Sequence, residues 1–365
     1  MPATAPVLTT TVTIGVDTHK DVHVAVALDA LGRWLAELAT PATAAGYQQL
    51  RRWACDLGQV EAFGVEGTGS YGAGLARYLR RCGERVIEVN RPDRSTRHRK
   101  GKSDPIDAEA AARAVLAGTA TGTPKSGDDQ VEIIRMLKMV RDSAVKGQTQ
   151  AVNQLKAVLI TAPDELRESL TGVGPVKLLQ RCAALRPGEL TTPLCAARQA
   201  LRLLACRAIA LRAEAKELRE HLDRLTTTTA PTLVEITGIG PDTAAALLLT
   251  AGDNPDRLRS EAAFAALCGT NPMPASSGKI TRYRLNRSGD RQANAALHRA
   301  VVTRMHWHEP TKTYVARRTA EGKTKHEIMR CLKRYLARQV YHCLLPTVAD
   351  STTRTPTQQD PRNAA

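Results

Sequence analysis

Apolar positions recur every second residue in several short stretches near the start of the chain, and every three to four residues through most of the remainder. TVTIGVD reads as a strand, and HVAVALD as a second strand paired to it. RWLAEL is a short third strand, residues 43–57 are helical in pattern, and VEAFGVE is a fourth strand. A helix over 72–82 leads to the strand RVIEV, and a further helix runs from Pro105 to about Ala117. The order β-β-β-α-β-α-β-α describes a mixed sheet with helices on its faces.

The pattern then changes, and residues 128–225 read as almost wholly helical. Leu201, Leu204, Ala208, Leu211, Ala215, Leu218, Leu222 and Leu225 alternate spacings of three and four, with charges on the other faces. Such a seam demands a partner helix, in the same chain or in another subunit. An amphipathic bundle helix carries the same spacing, so both readings stand. The expected organisation is an α/β domain over 10–125, a helical coiled-coil linker and dimerisation region over 126–230, and a small, mainly helical domain over 231–345. Residues 346–365 are polar and aperiodic, and are expected to be disordered.

Composition narrows the class. The 365 residues are 42% hydrophobic and 24% charged, which is globular, and aromatics at 3% leave the cores to Leu, Val, Ile and Ala. No apolar run reaches the roughly 18 residues of a membrane span. MPATAPVLTTT lacks the basic and apolar regions of a secretory signal, so a cytoplasmic, nucleoid-associated protein is expected. The eight cysteines lie singly, with no CxxC pair or Cys/His cluster; neither a zinc site nor a disulfide framework is expected.

Charge points to a partner. The net charge is +16, and residues 279–338 carry 16 Lys and Arg against 4 Asp and Glu. A second basic run, 91–102, has six Lys and Arg against Asp93 alone. Blocks like these are the footprint of a polyanion, although a basic surface also serves solubility. The candidate nucleic-acid contacts are Arg97, Arg99, Lys100, Lys102, Lys279, Arg282, Arg284 and Arg287.

Four acids carry the chemistry. Asp17 lies where the first strand ends, in GVDTHK, and Glu66 ends the fourth, in GVEGTGSYG. A carboxylate at the buried end of a strand is costly without compensation, and two on neighbouring strands repel each other. A hard divalent cation, Mg²⁺ or Mn²⁺, resolves that conflict. The glycines after Glu66 leave room for a phosphate backbone. Asp104 and Asp107 share one face of a helix in KSDPIDAEAAARA. Helix-start chemistry alone accounts for that pair, with Asp104 as N-cap, Pro105 first and Asp107 third. Read as a set, the four acids have the arrangement of a ribonuclease H-like nuclease, whose metal orients a phosphodiester.

At these residues the chain resembles a known family. IGVDTHKDVHVAVAL, GVEGTGSYG and NRPDRSTRHRKGKSDPIDAEAAARA resemble the RuvC-like domain of the DEDD transposases of bacterial insertion sequences, the insertion-sequence-110 family. ITGIGPDTAAALL, FAALCGTNPMPASSGK and RLNRSGDRQANAAL resemble that family's C-terminal transposase domain. The resemblance implies a metal-dependent DNA recombinase that acts as an oligomer, dimer or tetramer, with the two halves of an active site from different subunits. It implies Asp17, Glu66, Asp104 and Asp107 as metal-holding catalytic carboxylates and Ser277, before Gly278, as the serine that attacks DNA. It also implies guidance by a structured non-coding RNA, the bridge RNA, that pairs with donor and target DNA. A junction nuclease with the same acids and no covalent step, and a non-catalytic nucleic-acid scaffold, are the alternatives.

Two loop motifs remain. The doublet Ser276-Ser277 makes the serine assignment depend on adjacency to Gly278, and PASSGK also reads as a plain flexible loop. No base lies within ten residues of Ser277, and a serine hydroxyl needs activation. TGIGPDTAAALL, with Gly238 and Gly240, reads as a glycine turn feeding a helix N-terminus, and TGVGPVKLL at 171–179 repeats the grammar. Such turns present N–H groups to phosphate, as in helix-hairpin-helix motifs, or simply let helices pack tightly.

Overall fold

A computed structural model of the chain describes residues 10–90, 103–276 and 283–345, apart from the side chain of Asp256. They form two compact units, one holding residues up to Asp129 together with Ala251–Arg259, the other holding Gln130–Thr250 and the chain from Ser260 onward.

The first unit is built on a five-stranded sheet. Its strands are β1 (Thr11–Thr18), β2 (Val22–Asp29), β3 (Trp34–Pro41), β4 (Gln59–Glu66) and β5 (Val86–Val89). The spatial order is β3-β2-β1-β4-β5. β1 pairs antiparallel with β2 and β2 with β3, whereas β4 lies parallel to β1 and β5 parallel to β4. This is the mixed sheet that the element pattern predicts, and it is consistent with the ribonuclease H-like fold that the resemblance implies. α1 (Ala44–Leu57) and α2 (Ala73–Arg81) cover one face, where Val12, Ile14, Val16, Phe63 and Val65 meet Leu50, Leu75 and Leu79. α3 (Asp104–Leu116) covers the other, with Ala108 and Ala112 against Val26 and Leu28.

Side-chain alternation explains the division. Along β1 the even-numbered residues face α1 and α2, so Thr13, Gly15 and Asp17 face α3. Gly15 is essential to that face: a Cβ there would lie 2.0 Å from the Ala108 carbonyl oxygen and 2.4 Å from the Ala112 nitrogen. On β4 a Cβ at Gly64 would lie 2.7 Å from Val115 Cγ2 and 3.0 Å from the Ala111 carbonyl oxygen. Gly15 and Gly64 are register partners, so they form one bare patch in the middle of the sheet. The small face of α3, Ala108, Ala111 and Ala112, seats on that patch.

The second unit is helical. α4 (Gln130–Thr161) and α7 (Pro193–Thr229) pack along each other, linked by α5 (Asp164–Leu170) and α6 (Pro175–Ala183). The seam on α7 thus finds its partner within the chain. Ala151 and Leu155 of α4 share a core with Leu201, Ala205 and Ala208 of α7. Gly147 leaves space for Leu211, whose Cδ1 would lie 3.1 Å from an added Cβ. Leu222 is buried, while Leu211, Ala215 and Leu218 are only half-buried.

The remaining helices are α8 (Pro231–Val234), α9 (Pro241–Ala251), α10 (Glu261–Leu267), α11 (Arg291–Trp307), α12 (Glu309–Ala320) and α13 (Lys325–Leu344). A two-residue ribbon, β6 (Met273–Pro274) with β7 (Tyr283–Arg284), lies between α10 and α11. Among the described residues no helix is long and apolar enough to cross a membrane. The expected tail, 346–365, lies outside the described residues.

Candidate metal centre and serine loop

The sheet places the acids. Gly15-Val16 of β1 pairs in register with Gly64-Val65 of β4, and the next residue on each strand is an acid, Asp17 and Glu66. Two parallel strands with the same Gly-Val-acid triplet therefore bring two carboxylates side by side, on the face that α3 covers. Because α3 seats against Gly15, its first turn carries Asp104 and Asp107 to the same end. Asp17, Glu66 and Asp107 are buried and Asp104 is exposed. Thr18 Oγ1 donates to the Glu66 carbonyl at 2.8 Å, tying the two strand ends together. Gly67 then turns with φ 67°, and Ser70 and Gly72 donate their N–H groups to its carbonyl.

Electrostatics confirms the convergence. Burial pushes the Asp17 carboxyl above its ordinary range; His19 opposes that, and the Glu66, Asp107 and Asp104 carboxylates push it further up. All three other acids thus act on Asp17. Carboxylate oxygens gathered at one end of a sheet are the donor type of a hard divalent cation, and the residues present fit one.

Helix geometry corrects one expectation. Ser103, with φ −146° and ψ 151°, is the N-cap of α3, and Asp104 is already helical. Asp104 therefore does not cap, and Asp107 donates its N–H to the Ser103 carbonyl one turn on. Ser103 holds the cap position without a side-chain cap hydrogen bond, so the capping explanation for Asp104 does not hold, while both acids keep the first-turn positions that the helix dipole favours.

The structure adds a residue that sequence reasoning passed over. His19 sits in the β1–β2 turn, its Nδ1 3.8 Å from Asp17 Oδ2 and its Nε2 3.9 Å from Asp104 Oδ1. Asp17, His19 and Asp104 offer ligand atoms all within 4.8 Å of one another. The available signal was the histidine two residues after a strand-end aspartate, in DTHK.

In the second unit a polar frame holds both arms of the serine loop. Asn286 donates to Asn271 Oδ1 at 2.7 Å and accepts from the Ser288 N–H and hydroxyl. Asn294 donates to the carbonyls of Cys268 and Gly269, and its own Oδ1 accepts from Lys333 Nζ at 2.8 Å. The chain crosses itself where a Cβ on Gly289 would lie 2.2 Å from the Gly269 nitrogen. Asp290 caps α11 through the N–H groups of Gln292 and Ala293, and accepts from Thr250 Oγ1. CGTNP and NRSGDRQAN are thus one interlocked frame, with the exposed Ser276 at its edge. Ser277, Lys279 and Arg282, like Arg97, Arg99, Lys100 and Lys102, lie outside the described residues. Arg284 and Arg287 are exposed.

The glycine turn before α9 divides between two jobs. Gly238 has φ 88°, and a Cβ there would lie 2.7 Å from the Ala300 carbonyl oxygen, so it serves tight packing on α11. Gly240 is open, with nothing within 4 Å of an added Cβ. Asp242 in the first turn of α9 accepts from Arg141 at 2.9 Å and Lys138 at 3.3 Å.

Comparison with known proteins finds family matches over two stretches of the chain. Residues 14–162 match the family described as Transposase, the DEDD type of IS110, and residues 230–316 match the family described as Transposase IS116/IS110/IS902 family. The chain belongs to the IS110 family of DEDD transposases. One relative is a proposed transposase, y4pF/y4sB, of Sinorhizobium fredii (strain NBRC 101917 / NGR234), 31% identical over 206 residues. That alignment covers 54% of this chain and 50% of the relative, so the chain spans about half the length of the curated relative it matches.

Proposed function

We propose that this protein cuts and rejoins DNA for an insertion sequence, with Asp17, Glu66, Asp104 and Asp107 holding a divalent metal and Ser277 as the attacking group. The observation that carries the reading is the convergence of four carboxylates at one end of the sheet, on a face built to let α3 approach. Mg²⁺ or Mn²⁺ bound there would supply Lewis-acid stabilisation of charge on the phosphate oxygens. With the cation held there, the carboxylates would present the phosphodiester at the strand ends, where Gly69 has nothing within 4 Å of an added Cβ. Ser277 Oγ forms a bond to phosphorus, a P–O bond to a sugar oxygen breaks, and the serine proton ends on that oxygen. A second sugar hydroxyl then attacks the serine phosphoester and releases the serine. The Asn271–Asn286 and Asn294–Lys333 contacts supply a rigid frame for the loop that carries Ser277.

The basic segments and the family support DNA as substrate. The reading extends, as the resemblance implies, to guidance by a structured non-coding RNA, action as a homo-oligomer and residence in a bacterial cytoplasm. The test is to trap protein on a nicked or junction DNA carrying element ends, with the cognate RNA. A covalent adduct lost in Ser277→Ala and kept in Ser276→Ala supports the reading. Hydrolysis without any adduct would assign the acids to a junction nuclease instead. Full recombination by Asp17→Asn and Glu66→Gln would leave only a nucleic-acid scaffold.

A further inference from the structure

The C-terminal part of the second unit contains a cavity of about 700 Å³ whose lining shares Gly269, Asn271 and Lys333 with the frame of the serine loop. One wall is β7 with Leu285 and the segment Gly269–Pro272; the other is α13 with the turn before it. A volume of this size accommodates a small molecule or one unit of a polymer.

Its lining is cationic. Arg284, Lys323, Arg330, Lys333 and Arg334 all contribute. The single acid, Glu327, is committed elsewhere: its carboxylate accepts from the Thr324 N–H at 2.9 Å and from Thr324 Oγ1 at 2.7 Å, closing the cap of α13. Lys333 is buried, with Asn294 Oδ1 as its acceptor, and burial together with Arg330 pushes its ammonium below the ordinary lysine range. Arg334 keeps its Nη1 buried with no acceptor among the described residues. Its Nη2 lies 4.0 Å from Glu261 Oε2, a carboxylate oxygen already bonded to Arg338, so little of the guanidinium charge is countered.

The lining is also aromatic. Tyr283 and Tyr335 both border the cavity and are 58% and 52% exposed. Tyr335 is held edge-on to Tyr314, with centroids 5.8 Å apart, so its orientation is set by the fold. Exposed rings beside several cations are the combination that binds an unpaired nucleotide, the base stacking on a ring and the phosphate meeting the cations. A duplex hides its base faces in the stack and cannot present one to a cavity this narrow.

We propose that this cavity is a binding site for one nucleotide of an unpaired nucleic-acid strand, DNA or RNA. The proposal rests on the reading that the protein handles nucleic acid, and it assigns a contact that this reading does not require. Stacking on an aromatic side chain is worth roughly 1–3 kcal/mol per base, or about 5- to 150-fold in affinity.

The test uses the full chain with labelled 12-nucleotide thymidine and uridine strands and a 20-base-pair duplex, read by fluorescence anisotropy across a salt series. Tyr283→Ala and Arg330→Gln are the variants, each checked for an unchanged melting temperature. Tyr283→Ala should weaken the strands about tenfold and move the duplex less than twofold. Arg330→Gln should weaken the strands and flatten their salt slope by about 0.7, one phosphate. Equal losses on both strands support the site as stated; a loss confined to one supports it and names the source. Unchanged strand affinity in both variants overturns the proposal, as does an equal loss on duplex, which would mark a general backbone patch. Wild-type protein that binds none of the three probes removes the nucleic-acid reading and the cavity's role together.

Discussion

Adding one methyl group at Gly15 should dismantle the metal centre by pushing α3 off the sheet. The new Cβ would lie 2.0 Å from the Ala108 carbonyl oxygen, about 1 Å inside the 3.0 Å that real Cβ contacts respect. Neither partner can yield locally, because one is strand backbone in the centre of the sheet and the other is helix backbone. The helix must therefore move out by about 1 Å. Overpacking of this kind costs about 1–3 kcal/mol, and roughly 2–4 °C of melting temperature per kcal/mol for a unit of this size. The larger effect falls on function. Mg²⁺ requires oxygens near 2.0–2.1 Å in close to octahedral geometry, so a shift of about 1 Å in Asp104 and Asp107 removes their contribution. Gly69→Ala is the control, since nothing lies within 4 Å of its added Cβ and its φ is not positive. Thermal melts and Mn²⁺ titration of the two variants make the comparison. Gly15→Ala should melt lower and bind Mn²⁺ at least tenfold more weakly, with Gly69→Ala unchanged in stability. If Gly15→Ala loses stability but keeps its Mn²⁺ affinity, the close seating of α3 does not set the position of the acids.

Two further outcomes follow from the second unit and the cysteines. Lys138, 4% exposed, donates to Asp142 at 2.9 Å and Asp242 at 3.3 Å, joining α4 to α9. Lys138→Ala should cost about 1–3 kcal/mol in urea unfolding, less than a fully buried pair because both carboxylates are partly exposed. Burial pushes Asp142 up, but its bonds to Lys138 and Arg141 win and hold it below the ordinary range. Its contribution to stability is thus complete above the ordinary carboxylate pKa and disappears as pH falls through the depressed folded value. Urea midpoints at falling pH should show that acid loss in wild type and a smaller one in Lys138→Ala; equal losses would exclude Asp142 as its source. Burial pushes the Cys268 thiol up to about 12, and Cys182 is also buried and raised, whereas Cys55 and Cys206 are exposed. A disulfide reagent at pH 8 should modify Cys55 and Cys206 quickly and reach Cys182 and Cys268 only after unfolding.

The elements were legible because their signals are local. Alternation marks β1, β2 and β4, and the helical period marks α1 and the long pair α4 and α7. Asp17 and Glu66 stood out because no nearby rule asks for a carboxylate at a strand end. Their pairing was less visible, because register between strands 49 residues apart is a tertiary fact; afterwards the shared Gly-Val-acid triplet reads as its trace. The role of Gly15 and Gly64 was hidden for the same reason: a glycine in a strand reads as a weakness until the helix above it is known. The cap of α3 slipped by one residue because Ser103 and Asp104 are both good cap formers. His19 was missed because its partners are an acid two residues away and another 85 residues away, and only folding brings them to opposite sides of its ring. The partner of the α7 seam could not be chosen from one helix, since the same spacing serves a second subunit or α4.

The central claim is that four carboxylates share one cation, and Asp17 tests it with two effects of opposite sign. Asp17 is held above its ordinary pKa by burial and by three neighbouring acids, so in the cation-free protein its charge is a burden. That burden is absent below the ordinary carboxylate pKa, grows as pH rises from there towards the raised folded value, and is complete above it. The measurement is Mn²⁺ titration by calorimetry at neutral pH, paired with melting of wild type and Asp17→Asn with and without the ion. Wild type should bind Mn²⁺ and melt higher in its presence; Asp17→Asn should melt higher than wild type without the ion and bind it at least tenfold more weakly. Asp17→Asn that takes up Mn²⁺ as tightly as wild type would contradict the account.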